Sequence, residues 1–175
     1  MNLYILRHAS AGVRRASPTL DLKRPLDKEG KDQCLLIARY LNALKVQFDL
    51  IASSPLKRAL QTASLVGTEV AYEGKIQIAD ALSPSGTVAG FQALVTTLSA
   101  HENVLVVGHN PNLPEFLGSL ICAPRPAGIR MRKGAIARVD CTRRPGQLIS
   151  VLDPRILRLV YASAAKSSRR KTSRK

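Results

Sequence analysis

The chain has no tryptophan, four tyrosines and three phenylalanines, so aromatics are only 4% of its 175 residues. Nothing in it resembles the aromatic platform on which proteins stack single-stranded nucleic acid, and no stable nucleic-acid complex is expected. Cysteine is scarce as well. Cys34, Cys122 and Cys141 are scattered, odd in number and set among apolar neighbours. That pattern suits reduced core thiols in the cytoplasm better than a disulfide framework or a metal knuckle. No apolar run approaches the ~20 residues of a bilayer span. The opening Met1-Asn2-Leu3-Tyr4-Ile5-Leu6-Arg7-His8 shows no basic leader and no small-residue cleavage site, so no membrane association is expected. The glycines never approach a nucleotide-binding fingerprint, and the histidines are not spaced with carboxylates as metal ligands. Neither cofactor nor metal is expected.

Acids are the last shortage. Twelve Asp and Glu face 27 Lys and Arg, a net charge of +15. The last ten residues, Lys166 to Lys175, hold six of the bases and no acid, leaving 21 basic and 12 acidic residues in the body. A basic body concentrates anionic partners: phosphorylated proteins, nucleotides, nucleic acid or an acidic membrane surface. Charge does not choose among them.

What is present is a regular alternation. Hydrophobic residues are 45% of the chain, enough for one domain with a substantial core. Leu3–Leu6, Asp49–Ser53, Ile76–Ala79 and Val104–Val107 read as short strands, the last being the clearest. Helices are expected from Asp27, with Cys34, Ile37, Ala38, Leu41 and Leu44 inward, and after Ser54-Pro55, read as N-cap and first helical position. The inward stripe of that second helix is Leu56, Ala59, Leu60, Ala63 and Val66. Phe91, Leu94, Val95 and Leu98 mark a third helix, and a fourth follows Gly108-His109-Asn110-Pro111 to about Ile121. Residues 9–26 read as a loop. Ala135–Cys141 and Gln147–Leu152 read as late strands, antiparallel at one edge, and Asp153-Pro154 opens a last short helix. The expected fold is α/β in three layers, a mostly parallel sheet with helices on both faces and no large lid insertion. One domain covers residues 1–165, and 166–175 form a disordered basic tail.

In such a sheet ligands bind outside the carboxyl ends of the strands. Three segments place polar residues there: Arg7-His8, Ser53-Ser54 through Arg58, and His109. Neutral imidazole can attack phosphorus and form a covalent intermediate. Arginine offers a planar fork that matches phosphate oxygens and stays charged. Each signal has an ordinary explanation when taken singly: a satisfied polar residue, a solvated charge at a helix start, a turn. His101, beside Glu102 and Asn103, belongs to the surface.

Together the segments resemble a known family. Leu6-Arg7-His8-Ala9, Ser53-Ser54-Pro55-Leu56-Lys57-Arg58-Ala59-Leu60-Gln61-Thr62-Ala63 and Val107-Gly108-His109-Asn110-Pro111 resemble, in order, three motifs of the histidine phosphatase superfamily, the phosphoglycerate-mutase-like proteins. The resemblance implies that His8 is the phosphorylated nucleophile and that Arg7, Arg58 and His109 bind the phosphoryl group. Within the superfamily, Arg24-Pro25-Leu26-Asp27-Lys28-Glu29-Gly30 and Leu152-Asp153-Pro154 look like segments of the SixA-type phosphohistidine phosphatases. Arg24 is then a substrate or phosphate contact, or equally a structural loop charge, and Asn110 is a further candidate for substrate binding. The implied partner is a phosphorylated protein, such as a histidine-containing phosphotransfer domain.

Only 46 residues (63–108) separate Thr62 from His109, too few for a long helical lid. An open site suits a phosphorylated protein side chain. Asp80 is the nearest candidate for the acid that ester-cleaving relatives carry, and a loop charge otherwise. Imidazole, with an unperturbed pKa of about 6.5, leaves far more readily than an alkoxide, so a weak acid fits phosphohistidine as substrate. Two alternatives remain at this point: a small-molecule phosphomonoesterase of the same superfamily, and a non-enzymatic basic module binding nucleic acid or acidic protein.

Overall fold

Leu3, Tyr4, Ile5 and Leu6 are all buried, and they alternate between two cores. Leu3 and Ile5 join one cluster, Tyr4 and Leu6 the other, as expected of a strand covered on both faces. Val104 and Val106 against Leu105 and Val107 repeat the pattern. The computed structural model describes residues 1–122 and 128–172.

Its elements are β1 (Asn2–Arg7), α1 (Pro18–Leu22), α2 (Lys28–Ala43), β2 (Leu50–Ser53), α3 (Lys57–Glu69), β3 (Gln77–Ile78), a 3₁₀ turn (Asp80–Leu82), α4 (Val88–Thr97), β4 (Asn103–Gly108), α5 (Asn112–Ile121), β5 (Ile136–Asp140), β6 (Gln147–Leu152) and α6 (Pro154–Thr172). The six strands form one sheet in the order β3-β2-β4-β1-β5-β6. The first four in that order are parallel, and β5 and β6 are antiparallel at one edge. Residues of α2 and α3, with Leu157 of α6, pack on one face; α4 and α5 pack on the other. The expected three-layer α/β architecture is the one observed. Between α3 and β4 the chain builds only β3, the 3₁₀ turn and α4.

Four local expectations are corrected. Residues 9–26 are not all loop, because Pro18, with its φ preset for a first turn, opens the short α1. Helix α3 begins at Lys57, with Leu56 in the cap position, and not at Pro55: the Ser54 hydroxyl accepts from the Leu56 amide at 3.3 Å, and the helical bonds start at the Leu56 carbonyl. Cys122 is exposed and Cys141 half-buried, so only Cys34 is a buried core thiol. The last helix is long: its backbone continues past the boundary set at Ala165 to Thr172, through a stretch rich in the helix formers Ala, Lys and Arg. Residues 173–175 of the expected tail lie outside the described chain.

One glycine positions the site. A Cβ on Gly30, in the first turn of α2, would collide with the Ser10 carbonyl. Only glycine lets the helix meet the segment that follows His8 so closely. Asp27, the N-cap of α2, completes the join by accepting from Gly30 N at 2.7 Å, Gly12 N at 2.7 Å and Ser10 Oγ at 2.8 Å.

Candidate active site

Strand register brings the histidines together. β1 and β4 pair in parallel with Arg7 level with Gly108, so the next residues, His8 and His109, emerge side by side. The His8 amide donates to the Gly108 carbonyl at 3.0 Å, and the ring centroids stand 4.9 Å apart. β2 lies on the other side of β4, with Ser53 level with Val107. Ser54 therefore reaches the same edge, and its Oγ lies 2.8 Å from His109 Nε2.

His8 is 6% exposed and His109 3%. The Nδ1–H of His8 donates to the Ala9 carbonyl at 2.8 Å, which leaves the lone pair on Nε2. Burial pushes the His8 pKa down to about 3, against the Ala9 bond that favours the charged form; Arg58, Arg7 and Arg24 push it further. Burial, then His8 and the same arginines, lower His109 to about 2. Both imidazoles are neutral at any physiological pH.

The arginines are anchored by carbonyls and one acid. Arg7 Nη1 donates to the Met131 carbonyl at 2.9 Å, and Asn110 Nδ2 donates to the same oxygen at 2.9 Å. Arg58, buried on the first turn of α3, donates from Nη1 to the Asp21 carbonyl at 3.0 Å, with the Asp21 carboxylate at 3.5 Å. Arg24 is buried too. Its Nη1 donates to the carbonyls of Ala11 (2.6 Å) and Gly12 (3.2 Å), and its Nε to Asp21 at 2.8 Å. Thr62 ties the pieces together by donating to the Arg58 carbonyl at 2.7 Å and accepting from Ala9 N at 3.1 Å.

Among the described residues, four buried side-chain polar atoms have no hydrogen-bond partner: Arg7 Nε, Arg58 Nε, His109 Nδ1 and Asn110 Oδ1. All four belong to residues expected in the phosphate site. Buried polar groups without partners are costly and concentrate where function requires them. Arg58 is thus no solvated surface charge.

The structure brings together His8, His109, Arg7, Arg58, Arg24 and Asn110, and Asp80 follows β3 at the same carboxyl edge of the sheet, where the Ala79 amide donates to the Ser53 carbonyl at 2.9 Å. Asp80 is exposed at the start of the 3₁₀ turn and makes no hydrogen bond or ion pair with these groups among the described residues. Asp21 and Ser54 are the groups whose roles the sequence did not disclose. Asp21 sits in a stretch read as loop, while Ser54 was visible inside its motif but read as a helix cap. No group of His, Cys, Asp and Glu among the described residues could hold a metal. A hollow of about 490 Å³ at the opposite edge of the sheet, lined by Met1, Cys141 and Arg143 among others, has no part in this arrangement.

Residues 3–83 match the histidine phosphatase superfamily (branch 1). The phosphohistidine phosphatase SixA of Escherichia coli is 32% identical over 124 residues, 70% of this chain and 74% of its own. The chain belongs to the histidine phosphatase superfamily. An uncharacterised protein of Picosynechococcus is 30% identical over 138 residues, 78% of this chain and 82% of its own. A solved structure of the protein histidine phosphatase SixA complexed with tungstate superimposes with a TM-score of 0.80 at 29% identity. That match covers 90% of this chain and 99% of the other. This histidine phosphatase superfamily member shares that protein's fold, the phosphoglycerate-mutase-like arrangement, as well as its motifs.

Proposed function

We propose that the protein removes the phosphoryl group from phosphohistidine on a protein, through a covalent intermediate on His8. The observation that carries the reading is a buried, neutral His8 whose free nitrogen is Nε2, surrounded by buried arginine donors without partners. The tungstate of the solved relative is an oxyanion of phosphate's shape, which supports an oxyanion pocket here.

In the first step the Nε2 lone pair attacks phosphorus, and the bond from phosphorus to the substrate imidazole breaks. Arg7 and Arg58 hold charge on the equatorial oxygens, and His109 supplies a further donor. The departing imidazole takes a proton from solvent. Water then attacks phospho-His8, the second N–P bond breaks, and phosphate leaves with Nε2 restored.

The leaving group supports phosphohistidine over an ester. Asp21, the acid paired with Arg58, is held below the usual carboxylate range by the Arg15 amide and by Arg24 and Arg58, so it is ionised and poorly suited to donate a proton. The Asp80 carboxylate makes no hydrogen bond or ion pair with the site among the described residues. An imidazole leaving group tolerates this, whereas an alkoxide does not. The free thiols suit the cytoplasmic setting expected of the chain, and among the described residues no helix is long and apolar enough to cross a membrane. The test is a rate comparison between a phosphohistidine peptide and a panel of phosphomonoesters. Faster turnover of the peptide is expected, and turnover of sugar phosphates alone would overturn the reading.

A further inference from the structure

A cleft of about 390 Å³ opens from Arg7 and Asn110 toward the start of α6, lined also by Arg130, Arg132, Lys133 and Arg155. Its acids are Glu29 and Asp153. Asp153 is already engaged, by Arg155 at 2.8 Å and Arg132 at 3.4 Å, while Arg130 and Lys133 form no ion pair among the described residues. On the far side of Ser10 lies a second hollow, of about 580 Å³, lined by Arg14, Arg15 and Arg24 with Asp27 as its acid. Both Asp27 oxygens are committed to Gly30 N, Gly12 N and Ser10 Oγ. Glu29 accepts only from Gln33 Nε2, at 3.3 Å, and is the one acid of the two hollows left without a cation or backbone partner among the described residues. The nucleophile, two residues before Ser10, is thus flanked by two hollows in which cations outnumber acids.

We infer that the two hollows form a docking collar for an acidic protein surface around the phosphorylated residue. The inference deepens the phosphohistidine reading and rests on it. The cations come from three separate segments: the loop after β1, the segment before β5, and the start of α6. Arg14, Arg15 and Arg130 are exposed, so they are placed to meet a macromolecule and not the transferred group. Neither hollow has an aromatic lining residue, which removes the stacking surface that bases need and favours carboxylates as the occupant. Complementary charge speeds encounter and rejects like-charged partners, so the effect falls on kcat/KM for an extended substrate and spares a small one.

The probes are a phosphohistidine peptide flanked by glutamates and the same peptide flanked by glutamines. The wild type is expected to favour the glutamate peptide by about tenfold in kcat/KM at low salt, with the preference fading as salt screens exposed charge. R15E/R130E should abolish or invert that preference while leaving phosphoramidate hydrolysis and the melting temperature within about twofold and a few degrees of wild type. R143E/R144E, the same charge change at the opposite edge of the sheet, should retain it. No preference in the wild type, or equal loss in both double variants, overturns the collar. Inhibition of phosphoramidate hydrolysis by a DNA oligonucleotide at lower concentration than by an unphosphorylated glutamate-rich peptide overturns the choice of partner. If the wild type hydrolyses p-nitrophenyl phosphate but no phosphohistidine peptide, the proposed function fails. The collar is then judged by whether the glutamate-rich peptide inhibits that hydrolysis in the wild type and not in R15E/R130E.

Discussion

Ser54 Oγ lies 2.8 Å from His109 Nε2 and accepts from Leu56 N at 3.3 Å. The hydroxyl can donate to that nitrogen or accept from it. Where it donates, the neutral ring carries its proton on Nδ1, the buried atom that has no partner among the described residues, and His109 is a donor toward a phosphoryl oxygen. Replacing Ser54 with alanine should lower kcat about threefold to tenfold, the size of one neutral hydrogen bond, with a smaller change in KM. Ser54→Thr should restore most of the loss. An unchanged kcat in Ser54→Ala would show that the tautomer is set without the hydroxyl.

His8→Ala should abolish turnover. A brief reaction of wild type with substrate should trap label that is acid-labile, stable to base and attached at Nε2 of His8, because Nδ1 is committed to the Ala9 carbonyl. Peptide mapping with phosphorus NMR reads both position and nitrogen. Label on Nδ1, or on another residue, contradicts the geometry.

Acid should unfold the protein earlier than its carboxylates alone require. His8 and His109 hold pKa values near 3 and 2 when folded, against about 6.5 when unfolded. Between those limits the unfolded state binds more protons, so stability is fully present above about pH 6.5 and falls as pH drops toward 3. The slope per histidine is at most about 1.4 kcal/mol per pH unit. Urea unfolding from pH 7 to pH 4 should show a shallower fall for His109→Asn than for wild type. Parallel curves would mean that the buried imidazoles accept protons without cost.

Arg58→Ala and Arg24→Ala should fail differently. Arg58 has an unpartnered buried Nε beside the histidines, so its loss should reduce kcat/KM about a hundredfold or more. Arg24 donates to the carbonyls of Ala11 and Gly12 and to Asp21, so its loss should also lower stability by on the order of 2 kcal/mol. Thermal melts alongside kinetics separate the two. Equal melting temperatures would make Arg24 a phosphate ligand and little else.

Asp80→Asn should change phosphohistidine turnover by less than about threefold, since a working general acid is worth about 10² to 10⁴. A hundredfold loss on phosphohistidine would place Asp80 in the chemistry despite its exposed position.

Much of this site could be read in the sequence because its parts carry side-chain signatures. His8 and His109 each end an apolar run, and strands in a parallel sheet deliver their last residues to one edge. Arg58 and Thr62 lie in a recognisable segment that follows the next strand. The anchors were less legible. The Met131 carbonyl that orients Arg7 and Asn110 is backbone, and any residue there would supply it. Asp21 accepts from Arg24 in a stretch whose prolines and polar residues suggested only loop. Ser54 keeps the local bond that a serine before proline favours, accepting from the Leu56 amide, and its second contact, with His109, comes from a segment 55 residues away that no local pattern announces. The length of α6 was also missed, because charge and few apolar residues argued for disorder while alanine, lysine and arginine favoured helix.

The side-by-side emergence of His8 and His109 has a consequence for folding. The two rings meet only when β1 and β4 are paired, and that pairing joins Asn2 to Asn103, which are 101 residues apart in the chain. No local segment holds both groups, and a helix or hairpin formed early cannot assemble them. Closing so long a loop is among the slower events in a chain of this kind. Recovered phosphatase activity in a refolding protein is therefore a report on completion of the central sheet, arriving after most of the helical signal has returned.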